Sequence, residues 1–330
     1  MVVIEAAGGL GNQLQQYAFF RKVQSLGAEA RLDLTWFSPE IQETARYRRE
    51  LELSHLTGIS FIPCSKEERA RFPLEGGLAG KIKRGWQQVR KTVSGASGSV
   101  FTEEKIFHPE LLSRIEKDPD KDLYVRGFFA CEYYYADLLP VLRKEIGFPL
   151  RTDPHLTEKT REKIQTLADM IRTHETVSVH VRRGDYLDEK NREMFGGICT
   201  DAYYRKALSH ILENAPEAEI LVFSDDPEEA GAYIGQMAND AGFGNTRITV
   251  ADCCRNENSL YDLYLMSLCR HHICANSTFS FWGERLSPFP DGFRIRPEKH
   301  KNSQPFVPED MRRWWKGWTF VSPDGDLTLP

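Results

Sequence analysis

The segment Thr176-Val-Ser-Val-His-Val-Arg-Arg-Gly-Asp185 decides the fold of this 330-residue chain. It opens with a run rich in β-branched side chains and then reaches a glycine turn, which predicts a strand over 176–181. Apolar residues at helical spacing predict a helix on each side of this strand, over 156–174 and 200–214. A strand placed between two helices is typical of an α/β protein with a parallel sheet.

The same alternation continues toward the C-terminus and also opens the chain. We predict further strands over 2–7, 219–224, 247–251 and 272–275, and further helices over 13–26, 227–237, 259–269 and 277–286. Asp226 is expected to cap the helix that starts at Pro227. Strands that alternate with helices form a parallel, doubly wound sheet, and ligands bind such sheets beyond the carboxyl ends of the strands.

The length of the chain fits two domains with a cleft between them. We predict an N-terminal domain over 1–150, a C-terminal domain over 151–300, and a tail over 301–330 that packs across both. Three tryptophans of the tail are expected to have core roles: Trp314, Trp315 and Trp318.

The composition is that of a soluble globular protein, with 41% hydrophobic and 28% charged residues. The net charge of -5 excludes a global positive field for nucleic acid, so an anionic ligand needs a local cluster of cations. The N-terminus lacks the basic and apolar regions of a signal peptide, and no run of 18 apolar residues occurs. We therefore expect a cytoplasmic protein, and its seven cysteines fit reduced thiols.

Residues 81–91 carry five positive charges and no negative one. This segment fits peripheral contact with an anionic membrane face or a lipid-linked acceptor. A solvated surface flap is the alternative.

The strongest candidate site follows the strand over 176–181, where His180, Arg182, Arg183 and Asp185 occur together. A guanidinium offers fork-shaped donors to phosphate oxygens and keeps its charge at physiological pH. Adjacent strand residues face opposite ways, so one arginine is expected to bind phosphate while the other pairs with Asp185 or Asp225. A surface salt-bridge cluster is the alternative.

Two further segments end strands. Gly8-Gly-Leu-Gly11-Asn12 allows backbone N–H groups to approach a phosphate at a helix start, although a tight strand-to-helix turn explains the glycines equally well. Asn276, Ser277, Thr278 and Phe279 place hydroxyl, amide and aromatic groups at another helix start, which predicts an anion seat. A capped helix with a buried aromatic face explains part of this pattern.

Asp262 lies among leucines in the helix over 259–269. Its carboxylate could accept hydrogen bonds from guanine N1–H and the exocyclic amine together, a pairing that adenine cannot offer. An exposed helical acid is the alternative. The cluster from Cys269 to Cys274 contains residue types that bind zinc, but no second group completes four ligands, which favours a helix end that runs into a buried strand.

Taken together, these segments resemble the bacterial α-1,2-fucosyltransferases of glycosyltransferase family 11, which are related to protein O-fucosyltransferases and core α-1,6-fucosyltransferases. The resemblance is carried by GGLGNQLQQYAF at 8–19, GFFACEYYYADL at 127–138, HVRRGDY at 180–186, CTDAYYRKAL at 199–208, FSDD at 223–226, DLYLMS at 262–267 and ANSTFSFWGERL at 275–286. Family members often read FSWWGA where this chain has Phe281 and Glu284, and FFACE replaces a segment that usually contains Gln. These departures concern the acceptor more than the donor.

The resemblance implies a GT-B architecture of two facing Rossmann-like domains, GDP-β-L-fucose as the donor and no metal. It implies inverting transfer to the 2-hydroxyl of a galactose in a glycan or lipid-linked acceptor. Arg182 matches the arginine that holds the β-phosphate, and Asp262 resembles the guanine-reading acid. The remaining matches are Ser277, Thr278 and Phe279 as a phosphate seat, Asn12 as a donor contact from the opposite domain, and His180 near guanine.

The sequence leaves the general base and the function partly open. Asp185 is the candidate base, but it could instead orient an arginine. The alternative functions are another GDP-sugar transferase, an enzyme like the protein O-fucosyltransferases, or a non-catalytic glycan-binding protein.

Overall fold

A computed structural model describes residues 1–45, 48–74, 98–182, 189–252, 259–302 and 308–330. The chain divides into two compact units, Met1–Leu138 and Leu139–Pro330. This division precedes the predicted boundary at residue 150, so the helix Leu139–Glu145 belongs to the second unit. Both units contain parallel sheets covered by helices, which confirms the predicted α/β fold class.

The first unit is built on a four-stranded sheet of order β2-β1-β4-β3, in which all neighbours are parallel. Its strands are β1 (Val2–Glu5), β2 (Ala30–Asp33), β3 (Ser99–Thr102) and β4 (Leu123–Arg126). Its helices are α1 (Leu10–Ser25), α2 (Pro39–Gln42), α3 (Lys66–Arg69) and α4 (Pro109–Lys117). The parallel pairing places the carboxyl ends of all four strands at one edge, where Glu5, Asp33 and Arg126 are found.

Buried glutamines of α1 fasten the loops at this edge. Gln13 Nε2 donates to the carbonyls of Gly8 and Glu50, both at 2.9 Å, and Gln16 Nε2 donates to the Gly127 carbonyl at 3.1 Å. The helix begins at Leu10, earlier than predicted, because Gly8 adopts a φ of 84° and lets the chain turn directly into the helix. The apolar pattern starts only at Gln13, so it did not predict this first turn.

The second unit is built on a seven-stranded sheet of order β11-β10-β9-β8-β5-β6-β7. Its strands are β5 (Thr176–Val181), β6 (Glu219–Ser224), β7 (Ile248–Val250), β8 (His271–Ile273), β9 (Arg294–Pro297), β10 (Thr319–Val321) and β11 (Leu327–Thr328). All neighbours are parallel except β10 and β11. The predicted bounds of β5 and β6 are confirmed.

Helices on both sides of β5 follow the predicted order. They are α5 (Leu139–Glu145), α6 (Glu158–Thr173), α7 (Glu189–Phe195), α8 (Asp201–Asn214), α9 (Pro227–Asp240), α10 (Ser259–Leu268), α11 (Thr278–Arg285) and α12 (Pro308–Trp314). Asp226 occupies the N-cap position of α9, but its side chain makes no capping hydrogen bond. The predicted side-chain cap is therefore wrong. The Asp226 N–H donates to Ser224 Oγ at 3.1 Å.

The C-terminal tail adds β10 and β11 to this sheet, and it buries Trp315 and Trp318 completely. Their predicted core role is confirmed, whereas Trp314 is only half-buried. Within the described ranges, no helix is both long and apolar enough to cross a membrane.

Candidate functional site

Three neighbouring strands of the second unit bring the predicted site residues to one edge. β5 lies between β8 and β6, and all three are parallel, so their carboxyl ends meet. Arg182 follows β5, Asp225 follows β6, and Asn276 lies beyond the end of β8. This is the edge at which doubly wound sheets bind ligands.

Arg182 pairs with Asp225 across this edge. The register places Val181 opposite Ser224, so the next residues along both strands are neighbours. Arg182 Nε lies 3.5 Å from Asp225 Oδ2, and each side chain is about a quarter exposed, at 27% and 26%. Asp225 therefore orients the guanidinium and leaves it accessible to solvent. Arg183 and Asp185 lie outside the described residues.

His180 is buried next to this ion pair. Its carbonyl accepts a hydrogen bond from Tyr204 Oη at 2.9 Å, and its ring centroid lies 6.0 Å from that of Phe279. Burial, and then the charge of Arg182, lower the pKa of His180 to about 3, so the imidazole is neutral at physiological pH. His180 cannot add positive charge to the site.

The junction between β8 and α11 contains the second predicted group. Ser277 is the N-cap of α11, and its Oγ accepts from the Phe279 N–H at 3.4 Å. Thr278 and Phe279 are half-buried in the first helical turn. The positive end of the helix dipole therefore lies at the same sheet edge as Arg182.

Asn276, at the junction between β8 and α11, forms side-chain hydrogen bonds with three residues distant in the sequence. Its Nδ2 donates to the carbonyls of Phe195 and His300, both at 3.2 Å, and its Oδ1 accepts from Cys199 Sγ at 3.5 Å. The side chain is buried. These contacts give Asn276 a role in positioning the junction, while its predicted contact with a donor stays a prediction.

Asp262 lies in the first turn of α10 and is half-buried. A helix that connects parallel strands starts at their carboxyl edge, so Asp262 belongs to the same edge as Arg182. The second turn of α10 packs closely on α11, because a Cβ added at Gly283 would lie 2.7 Å from Met266 Cβ. This close packing fixes the position of α10 beside α11.

The glycine loop of the first unit has a partner that the sequence did not reveal. Gly11 is buried, and the side chain of Asn12 lies so close to Gly8 that a Cβ there would be 2.5 Å from Asn12 Nδ2. Burial raises the pKa of the Glu52 carboxyl, which lies close to the Leu10 N–H. A protein carboxylate thus lies at the start of α1, and the donor contacts expected of Gly11 and Asn12 stay a prediction.

The cluster from Cys269 to Cys274 forms the predicted helix end and buried strand. The His272 ring bonds Ser178 Oγ at 2.9 Å and the Cys269 carbonyl at 3.1 Å. His271 likewise bonds Glu175 and the Phe293 N–H through its two nitrogens. In the part of the chain that the structure describes, no group of three His, Cys, Asp or Glu residues is arranged to hold a metal.

A parallel sheet with an arginine and a helix start at its carboxyl edge defines an α/β protein suited to a phosphate-containing ligand. The family model for glycosyl transferase family 11 matches residues 1–322, and the chain belongs to this family. It is therefore a glycosyltransferase.

Several characterised proteins are similar to this chain. An α-1,2-colitosyltransferase of Escherichia coli is 27% identical over 90% of this chain and 91% of its own length. The O-antigen biosynthesis glycosyltransferase WbnK of Escherichia coli is 37% identical over 38% of each chain. Human galactoside α-(1,2)-fucosyltransferase 1 is 27% identical over 55% of this chain and 52% of its own.

Two solved structures are more distant. Escherichia coli ADP-heptose LPS heptosyltransferase II has 12% identity and a TM-score of 0.35, over 90% of this chain and 84% of its own. POFUT1 in complex with GDP has 13% identity and a TM-score of 0.35, over 86% of this chain and 94% of its own.

Proposed function

We propose that this glycosyltransferase moves L-fucose from GDP-β-L-fucose to the 2-hydroxyl of a β-galactoside in a glycan, with inversion. The observation that carries the proposal is Arg182, which Asp225 orients at the carboxyl edge beside the start of α11. The α-1,2 transfer named for two of the relatives supports the linkage.

In the proposed reaction, the acceptor oxygen attacks the anomeric carbon on the face opposite GDP. The bond to the β-phosphate breaks, its electron pair stays on GDP, and the acceptor proton leaves. Negative charge grows on the β-phosphate, and the Arg182 guanidinium and the helix dipole of α11 stabilise it. Ser277, Thr278 and Phe279 would line the phosphate seat. Asp185 stays the candidate base, and Arg183 a candidate donor contact.

Recombinant protein supplied with four donors tests the donor assignment: GDP-fucose, GDP-colitose, GDP-mannose and UDP-galactose. Lactose, N-acetyllactosamine and its β1,3-linked isomer serve as acceptors, and NMR of the product identifies the linkage. We expect an α-1,2-linked fucoside. Turnover with GDP-colitose alone would favour the second candidate, another GDP-sugar transferase, which the colitosyltransferase relative supports. Turnover with UDP-galactose alone would contradict both.

Asp262→Asn is expected to weaken GDP binding by about tenfold or more, because hydrogen bonds to a charged acceptor contribute about 1.5–3 kcal/mol each. Calorimetry with GDP and inosine diphosphate, which lacks the exocyclic amine, isolates the proposed contact. The unsubstituted enzyme should prefer GDP, and the variant should lose that preference. Asp169→Asn, at an exposed acid of α6, is the control. An unchanged preference would remove Asp262 from the guanine site.

Metal independence is part of the proposal. Arg182 and the start of α11 would neutralise the negative charge of the diphosphate, which a divalent cation neutralises in metal-dependent transferases. We expect transfer to continue at an unchanged rate after dialysis against EDTA. A loss of activity that Mg²⁺ or Mn²⁺ restores would contradict this.

The cytoplasmic location also stays a prediction. Residues 81–91, the proposed peripheral membrane contact, lie outside the described residues.

A further inference from the structure

The loop after β4 belongs to the segment GFFACEYYYADL, which the donor site does not use. It starts at Gly127, at the carboxyl edge of the four-stranded sheet, where Arg126 Nε pairs with Glu5 Oε2 at 3.2 Å. Phe128 follows and is 50% exposed. The next ring, Phe129, is fully buried and stacks on Phe19 at 3.9 Å between centroids.

Glu103, which follows β3, holds this loop in place. Its Oε2 accepts hydrogen bonds from the N–H groups of Phe128 and Phe129, both at 2.9 Å. The contact is so close that a Cβ added at Gly127 would lie 2.7 Å from Glu103 Cβ and 2.8 Å from Oε2. Glu103 therefore fixes the direction in which the Phe128 ring leaves the loop.

This construction costs free energy. Phe129 adopts a φ of 49°, which side chains other than glycine rarely adopt. Burial raises the pKa of Glu103 to about 7 despite its two amide bonds, so ionising this carboxyl is unfavourable. Strained backbone and costly buried charges cluster where a protein holds a ligand. A single exposed aromatic ring is common, but this ring is held outward at the carboxyl edge of a parallel sheet, which is where such sheets bind ligands.

We propose that Phe128 is the platform for the apolar face of the acceptor's pyranose ring, and that Glu103 is the positioning residue that holds this platform. The inference rests on the proposed function. A pyranose presents C–H groups on one face and hydroxyls around its rim. The Arg126–Glu5 pair, in which each side chain is one-third exposed, lies at the same carboxyl edge and offers donors and acceptors to such hydroxyls.

Phe128→Ala tests the platform. We expect the KM for lactose to rise about tenfold or more while hydrolysis of the GDP-sugar in the absence of acceptor is unchanged, and Phe128→Tyr to restore the original KM. The control is Ile62→Ala. Ile62 is a 54% exposed apolar residue next to β2, an edge strand that β1 separates from β4. An unchanged KM, or an equal loss of donor hydrolysis, would overturn the proposal.

Saturation-transfer NMR of lactose in the presence of GDP gives a readout that does not need turnover. The unsubstituted protein should show lactose signals, and Phe128→Ala should lose them. Lactose binding without any sugar transfer would contradict the proposed function and leave the platform standing. Equal lactose signals from both proteins would contradict the platform alone.

Glu103→Gln tests the positioning role, because glutamine keeps an oxygen that accepts the two amide bonds and loses the ionisation. The ionised carboxylate holds the amides more strongly, so the KM for lactose should fall as the pH rises through about 7. Among the described residues, the titratable group that faces Glu103 is the Tyr134 hydroxyl, and burial and the Glu103 charge raise its pKa far above this range.

In the Glu103→Gln variant, the KM for lactose should not change with pH over this interval. A profile with the same slope as that of the unsubstituted enzyme would overturn the role of Glu103. The melting temperature supplies a check on the titration itself. The folded-state pKa is raised, so the unsubstituted protein should lose stability relative to the variant between pH 4.5 and about 7, and no further above it.

Discussion

Arg182→Ala is expected to lower kcat for sugar transfer by about 100- to 1000-fold, the usual cost of removing one donor from a group that stabilises developing negative charge. The guanidinium lies at the carboxyl edge of the central strand, and Asp225 orients its Nε side. Its positive charge is matched to the β-phosphate as the sugar leaves. The measurement is the rate of GDP release with saturating donor and acceptor.

Two controls separate this role from a general loss of charge or folding. Arg247→Ala removes an arginine that pairs with Glu219 at the opposite edge of the same sheet, so activity should be unchanged. Arg182→Lys keeps a charge without the planar fork, and it should recover only part of the rate. Near-normal turnover by Arg182→Ala would remove Arg182 from the mechanism.

Asp225→Asn should have a smaller effect than Arg182→Ala. Asparagine can still accept a hydrogen bond from Arg182 Nε, but it no longer contributes a negative charge to orient the guanidinium. We expect a loss of about tenfold in kcat with little change in the melting temperature, because the pair is partly exposed. A loss as large as that of Arg182→Ala would show that Asp225 acts on the substrate as well.

The sequence predicted the second unit better than the first for a physical reason. β5 is buried on both faces, and so are the inner residues of β6, so their sequences are apolar runs with sharp ends. Once the ends of both strands are predicted correctly, the parallel register places Arg182 beside Asp225. The proximity of Arg182 and Asp225 could therefore be inferred from the sequence alone.

What the sequence missed depends on contacts between residues far apart in the chain. Glu52 reaches the start of α1, and Glu103 reaches the amides of Phe128 and Phe129. Neither glutamate lies in a recognisable pattern, and periodicity carries no information about which loop a carboxylate will meet. The cap expected from Asp226 is absent although an acid before Pro227 is typical of one, and nothing in the structure explains its absence.

Arg296 links the tail to the candidate site, and no sequence pattern indicated it. The side chain is fully buried, and four aromatic rings surround its guanidinium, with distances to the ring centroids of 4.3 Å for Phe281, 4.7 Å for Trp315, 5.7 Å for Trp318 and 5.8 Å for Phe320. Arg296 Nη2 donates to His300 Nε2 at 2.8 Å, and the His300 carbonyl accepts from Asn276. The aromatic cage thus supports the junction between β8 and α11.

Arg296→Ala is expected to lower the free energy of unfolding by about 3–5 kcal/mol, because it leaves a cavity among the rings and removes several cation–π contacts. Urea unfolding followed by tryptophan fluorescence measures the change, since Trp315 and Trp318 lie in the cage. Arg296→Met keeps most of the volume without the charge, so it should lose less stability than alanine if packing dominates.

The control is Arg312→Ala at an exposed position of α12. If Arg296→Ala unfolds like this control, the cage contributes little, and the positioning of Asn276 must come from its contacts with Phe195 and Cys199 instead.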